Sequence, residues 1–409
     1  MNFIKKALKF GSGVMLAQLI TAASIPLLTR IYTPENFSKF GLYFSISLIL
    51  VCFVTLKLEI LLAKEKNINE DINRVVNVSY IMTIPILLVS FIVICFIEKS
   101  FNFYNILIAI FILVGTISFA LFDTINIVNL RENNIGLANK ARISRSVFSV
   151  IFQIIFSFLS KIGLFFGEVV GRFLGLLIIS KKNYFVVDLK DGFYFLKNRF
   201  NYIKYVVCAN FINSVGINLF PIIIINFYDP ILVGKYFFIH KVVGSPISLI
   251  TQSISISLLG DFNKIIDQKN DLIISKIKKI SSILFLLSTG LFVCVGVFFH
   301  FFEEMIFGSG WKNISILIFL LIPFLVGQCT FSPFSQLLVL FDGEKKQLIW
   351  DISRVIVVFC IVTIPNLIPN DFFDFYKVLF LYSLLGFLFY LIHYLMVLNS
   401  LKLFGSRNV

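Results

Sequence analysis

Charge is scarce in this sequence. Only 14% of its 409 residues are Asp, Glu, Lys or Arg, whereas a water-soluble domain carries about a quarter. Apolar residues make up 58% and the mean hydropathy is +0.94, which excludes an ordinary soluble fold. The six cysteines (Cys52, Cys95, Cys208, Cys294, Cys329, Cys360) all lie in apolar runs without a CxxC spacing. That excludes a disulfide framework and leaves buried, inert thiols. The three histidines are scattered, and neither HExxH nor GxxxxGK[ST] occurs. No metal, nucleotide or other cofactor is expected, and any work must be driven by an ion gradient (H+ or Na+) or by the gradient of the cargo.

What is present is a series of apolar runs of about twenty residues, the length a helix needs to cross hydrocarbon. Lipid offers no partner to bare backbone groups, and the runs are continuous rather than alternating, so the spans are helices and not barrel strands. Their expected extents are 10–29, 40–57, 75–97, 104–127, 146–160, 163–180, 203–227, 231–258, 280–301, 313–341, 348–368 and 376–399. The net charge of +14 would suggest nucleic acid in a soluble protein; here its distribution reports topology. With the N-terminus inside, 26 of the 36 lysines and arginines fall in inner segments, six in outer segments, and four (Arg172, Lys235, Lys241, Arg354) within spans. Both termini are therefore expected in the cytoplasm, with no nucleic-acid partner. Lys5, Lys6 and Lys9 before an apolar stretch and Ala22-Ala23 imitate a secretory signal, but cleavage there would spoil the charge alternation.

The second half echoes the first. Pro26, Tyr32-Thr33-Pro34 and Gly41-Leu42-Tyr43-Phe44 are answered by Pro221, Tyr228-Asp229-Pro230 and Gly234-Lys235-Tyr236-Phe237. The expected plan is two six-helix bundles, 1–180 and 203–409, joined by a basic linker 181–202, with a central cavity between parallel repeats. The run from Gly11 and Gln18 to Leu28-Thr29-Arg30-Ile31-Tyr32-Thr33-Pro34-Glu35-Asn36-Phe37 resembles the opening of O-antigen flippases. These are the Wzx-like polysaccharide transporters related to multidrug and toxic-compound exporters. The family usually continues with Phe-Gly; here Ser38 follows Phe37. Similarity extends through Leu56-Lys57-Leu58-Glu59, Gly163-Leu164, Val233-Gly234-Lys235-Tyr236 and Phe307-Gly308 to Trp311. The resemblance implies flipping of an undecaprenyl-diphosphate-linked oligosaccharide across a bacterial cytoplasmic membrane. It also implies that a polysaccharide polymerase and a chain-length regulator act downstream.

An ionisable group at mid-membrane costs about 2.5–3.5 kcal/mol on insertion scales, so each in-span charge asks for a reason. Glu168 and Arg172, four apart, can pair with each other or serve the substrate or a proton. Gly167, Gly171 and Gly175 between them make a seam for close helix approach. At 100° per residue, His240, Lys241, Gly244, Ser248, Thr251, Gln252 and Ser255 fall on one polar arc, suited to a wet cavity. Gln328, Ser332, Ser335 and Gln336 form a second stripe, and Asn210, Asn213 and Asn218 a third. Amides and hydroxyls suit sugar hydroxyls as well as neighbouring helices, while cations suit a diphosphate. The expected substrate contacts are Lys241, Arg172, Arg30, Lys235, Arg354, His240, Gln252, Asn210, Asn213, Gln328 and Gln336. Arg30 and Lys235 also fit snorkelling, and Arg354 a local ion pair with Asp351. Glu168 and Asp351, with Glu59 behind them, are the carboxylates suited to ion coupling. A drug or cation exporter of the same fold would want an acidic interior, whereas the charges read within the spans are four basic against two acidic, Glu168 and Asp351. A polysaccharide polymerase would need a large outer loop, and none is present.

Overall fold

The computed structural model describes the backbone of residues 2–62, 68–132, 134–159, 162–180, 186–244, 246–247, 251, 254–255, 270–341, 343–367 and 374–407. The fold is all-α. Nine helices among the described residues are long and apolar enough to cross a membrane, and one bent pair makes a tenth. Two further apolar segments are Gly163–Ile179, which matches the expected sixth span, and Pro230–Ile239 with a π-helical turn at His240–Gly244, which covers the first half of the expected eighth, the rest of it lying largely outside the described residues. Large apolar side chains such as Phe96, Phe301 and Leu286 point outward, which suits hydrocarbon.

Packing divides the chain into two compact units, residues 1–226 and 227–409. The first holds α1 (Asn2–Ile31), α2 (Pro34–Val54), α3 (Glu59–Leu62), α4 (Ile68–Ile81), α5 (Thr83–Glu98), α6 (Phe103–Arg131), α7 (Ile135–Ile155), α8 (Gly163–Ile179), α9 (Leu189–Asn198) and α10 (Phe200–Ile224). Pro34 occupies the first turn of α2 after an extended Thr33, where a missing N–H costs nothing. The third span is not straight: α4 and α5 meet at a 43° bend, where Pro85 withholds a donor from the preceding turn. The repeat would put α10 at the head of the second bundle, but it packs on α2 in the first unit, with Phe53 and Phe211 rings 5.2 Å apart.

After α2 the chain turns through Leu56 and Lys57 at φ 50° and 56°, left-handed values that cost an L-residue roughly 1–2 kcal/mol each. The corner is held by Glu59, which accepts from Thr55 Oγ1 at 2.6 Å and pairs with Lys57 at 3.3 Å. Leu56 and Leu58 are buried in the core beneath it. Glu59 is thus tied into a backbone corner.

The second unit holds α11 (Pro230–Ile239), α12 (Asn270–Phe307), α13 (Ile314–Phe331), α14 (Ser335–Leu340), α15 (Glu344–Leu367) and α16 (Phe375–Arg407). Asp229 caps α11 by accepting from Ile231 N at 2.8 Å. The ninth span, expected over 280–301, is the 38-residue α12, because nothing from Ile273 to Phe307 breaks a helix. It ends at Gly308, φ +92°. The tenth, expected as one helix, is α13 and α14 joined by a tight turn at Ser332–Phe334, where Pro333 cannot continue the ladder.

Candidate functional site

The first unit builds a charged cluster on the α7–α8 seam. Gly167, Gly171 and Gly175 all face α7, and a Cβ at Gly171 would meet the backbone of Ser149. This closeness places Arg145 beside α8. Glu168 Oε1 accepts from Arg172 Nε at 3.1 Å and also faces Arg145 Nη2 at 3.6 Å. Arg172 lies over Phe119, 3.8 Å from the ring centroid, and Arg145 over Phe122 at 5.5 Å. Arg142 and Asp123 stand within electrostatic reach of Arg145. Three guanidiniums and two carboxylates therefore gather on this seam.

Starting the fifth span at 146, where charge ends, leaves Arg142 and Arg145 in a loop, but α7 begins at Ile135. Nothing between 135 and 146 breaks a helix; Arg145 finds Glu168, and Arg142 lies within electrostatic reach of Asp123. Within the expected bounds, the fourth span 104–127 also holds Asp123, on α6, so the tally of two acids in those spans is corrected to three.

The second unit has its own network. Asp351 Oδ1 accepts from Arg354 Nη2 at 3.1 Å, and Asp351 Oδ2 from Gln347 Nε2 at 3.1 Å. Gln347 Oε1 lies 2.6 Å from His393 Nε2. Arg354 sits over Trp350 at 4.6 Å, and Trp350 is fixed by its Nε1 donating to Phe389 O at 2.9 Å. The Asp351–Arg354 pair is neutral.

The polar arc after α11 is not a straight helix. Its period widens at the π-turn His240–Gly244, so the 100° arithmetic fails from His240 onward. Extra-residue turns of this kind are frequent at functional sites. His240 and Lys241 are half-buried there, the His240 ring stacking on Phe237 at 6.4 Å. Gln252 and Ser248 lie outside the described residues. Asn210 donates to its own helix at Val206 O, and Asn218 to Ser214 O, the local bonding that competes with a cargo role. Arg30, Asn213 and Gln336 are exposed and Gln328 is half-buried. Among the described residues no three His, Cys, Asp or Glu side chains gather as metal ligands.

Lys235 is occupied elsewhere. Its Nζ donates to Lys312 O at 2.7 Å, beside Glu303, whose carboxylate caps α13 at Asn313 N and Ser315 N. Buried Trp311 packs on Phe238 at 4.7 Å in the same joint. We expect Lys235→Met to remove one charge-assisted bond worth roughly 1.5–3 kcal/mol. Thermal unfolding in detergent should shift down while transport per folded molecule stays unchanged; a stable but inactive variant would return Lys235 to the substrate site.

The same architecture occurs in solved membrane transporters. An inward-facing conformation of a multidrug resistance MATE family transporter of the MOP superfamily superposes with TM-score 0.65 at 15% identity, covering 97% of this chain and 99% of that one. The lipid II flippase MurJ in an inward closed conformation gives 0.66 at 16% identity, covering 96% and 87%. A MATE structure in complex with MaL6 gives 0.59 at 13%, covering 97% of each chain. At these identities the likeness is one of fold, and it gives this chain the multi-pass, all-helical architecture of those structures. A sequence profile of the polysaccharide biosynthesis protein family matches residues 27–316, and the chain belongs to that family. No curated protein sequence matches the chain.

Proposed function

We propose that this protein moves a lipid-linked oligosaccharide, carried on undecaprenyl diphosphate, from the inner to the outer leaflet of a bacterial cytoplasmic membrane. The supporting observation is the cationic cluster of the first unit, where Arg145 and Arg172 share one oxygen of Glu168. Two guanidiniums that share one carboxylate oxygen can also receive a second anion, and a diphosphate supplies one with geometry suited to guanidinium forks. Family membership supplies the saccharide. Lys241, on the π-turn of the second unit, is the further cation assigned to the substrate. Glu168 and Asp351 are the carboxylates assigned to coupling with H+ or Na+. Both termini lie in the cytoplasm on this reading, and polymerase and chain-length regulator receive the product outside. Export of a drug or cation is disfavoured by the arginines gathered on this seam.

Arg145→Gln is the cleanest test, because it leaves Glu168 and Arg172 as a neutral pair. The variant should insert and accumulate normally, while oligosaccharide reaching the outer leaflet falls at least tenfold, the loss of roughly 1.4 kcal/mol or more of substrate binding. Arg145→Lys should keep part of the activity, since charge survives without the fork. Full transport by stable Arg145→Gln would remove the cluster, and with it this reading of the substrate.

A further inference from the structure

The two units repeat more than their Tyr-x-Pro corners. Tyr32 donates from its hydroxyl to Gln153 O on α7 at 2.6 Å, and Tyr228 Oη accepts from Asn366 Nδ2 on α15 at 2.9 Å. Each corner tyrosine thus ties to the late part of one helix of its own unit, which makes α7 and α15 equivalent. Aligned at their first residues, the helices read Arg142-Ile143-Ser144-Arg145 and Asp351-Ile352-Ser353-Arg354. Arg145 and Arg354 are each the eleventh residue. Both guanidiniums stand beside one carboxylate and over one aromatic ring.

They differ in charge balance. Arg145 shares Glu168 with Arg172, whereas Arg354 has Asp351, three residues earlier, at 3.1 Å. The repeat has an arginine, Arg142, where the second unit has Asp351. Asp351 is itself held from behind by Gln347, which His393 holds in turn. The carboxylate can therefore stay satisfied when its arginine turns to another anion.

We propose that Arg354 is a second diphosphate-holding arginine, the repeat counterpart of Arg145, and that Asp351 is its built-in competitor, displaced when a diphosphate arrives. This rests on the reading of the substrate given above, and assigns the second unit its own contact to the same chemical group. Asp351 meets Arg354 through one oxygen, Oδ1, its other oxygen being held by Gln347, so a single phosphate oxygen can take the place that Oδ1 now fills.

The chain provides its own reporter. It has two tryptophans, Trp311 and Trp350, and only Trp350 lies against Arg354. In full-length protein carrying Trp311→Phe, in detergent, Trp350 emission should change saturably with inorganic pyrophosphate. Asp351→Asn should lower the midpoint about tenfold, because the competitor for a charged hydrogen bond is gone. Arg354→Gln should abolish the response, and Asp351→Glu, which keeps a carboxylate, should titrate like the parent. Polyprenyl diphosphate in micelles should act at lower concentration than pyrophosphate; equal or weaker action would overturn a lipid-borne source. Thermal unfolding of each variant, read on the same samples, separates misfolding from lost binding. An unchanged midpoint in Asp351→Asn, in a folded protein, would overturn the competitor, and a full response in Arg354→Gln would overturn the site. Neither outcome touches transport by Arg145→Gln, which tests the substrate reading separately.

Discussion

Gly171→Ala should destabilise this protein by about 3 kcal/mol or more, and Gly171→Leu should leave little folded chain. Overpacking a well-packed interior ordinarily costs about 1–3 kcal/mol because neighbours can shift. Here the new methyl would lie 2.6 Å from Ser149 Cα. A backbone atom cannot rotate away as a side chain can. The two helices would have to separate along their whole seam, since Gly167 meets Gln153 in the same manner one turn earlier. Separation would also pull Glu168 from Arg145. In hydrocarbon, where lipid tails compete equally for apolar surface, such close packing is a main source of helix association. Protein abundance and thermal midpoint in detergent would register the loss. A Gly171→Ala protein as stable as the parent would show that the seam is looser than drawn.

Glu168→Gln should be nearly as damaging, for an electrostatic reason. The substitution keeps shape but removes the one carboxylate that two guanidiniums address. Removing one partner of a buried ion pair costs about 3–5 kcal/mol, because the charge left behind stays desolvated. Two such charges then also repel each other. The expected remedy is Arg172→Met in the same chain: it withdraws one of the stranded cations and fills its space against Phe119. The double variant should recover a large part of the lost stability, a positive coupling in a double-mutant cycle. Additive losses would mean that Arg172 and Glu168 contribute independently, against the geometry found.

Much of the architecture was legible in the sequence because hydrocarbon imposes a length and a polarity that few segments can imitate. The glycine seam of α8 and the Glu168–Arg172 pair could be read from spacing of four alone. The boundaries of α7 could not, because charge was used as the sign of a loop. Arg142 and Arg145 look like inner-loop residues until Asp123 and Glu168, on two other helices, are known to stand near them. The recurrence of Ile-Ser-Arg at 143–145 and 352–354 was a signal available in the sequence. The arc through His240 and Lys241 is not legible for a different reason: 3.6 residues per turn does not hold where the chain adopts a π-turn. Lys235 gave no sign of its bond to a main-chain carbonyl, which side-chain chemistry alone does not reveal.

The left-handed corner at Leu56 and Lys57 has a consequence for populations. Two successive L-residues at φ 50° and 56° amount to roughly 2–4 kcal/mol of backbone strain. Glu59 and the buried leucines restrain the corner, and so keep that energy in the first unit. For any second conformation in which the corner relaxes, about 3 kcal/mol changes the ratio of the two states on the order of a hundredfold. A tension of that size, set at one end of α2, would outweigh most single hydrogen bonds that oppose its release.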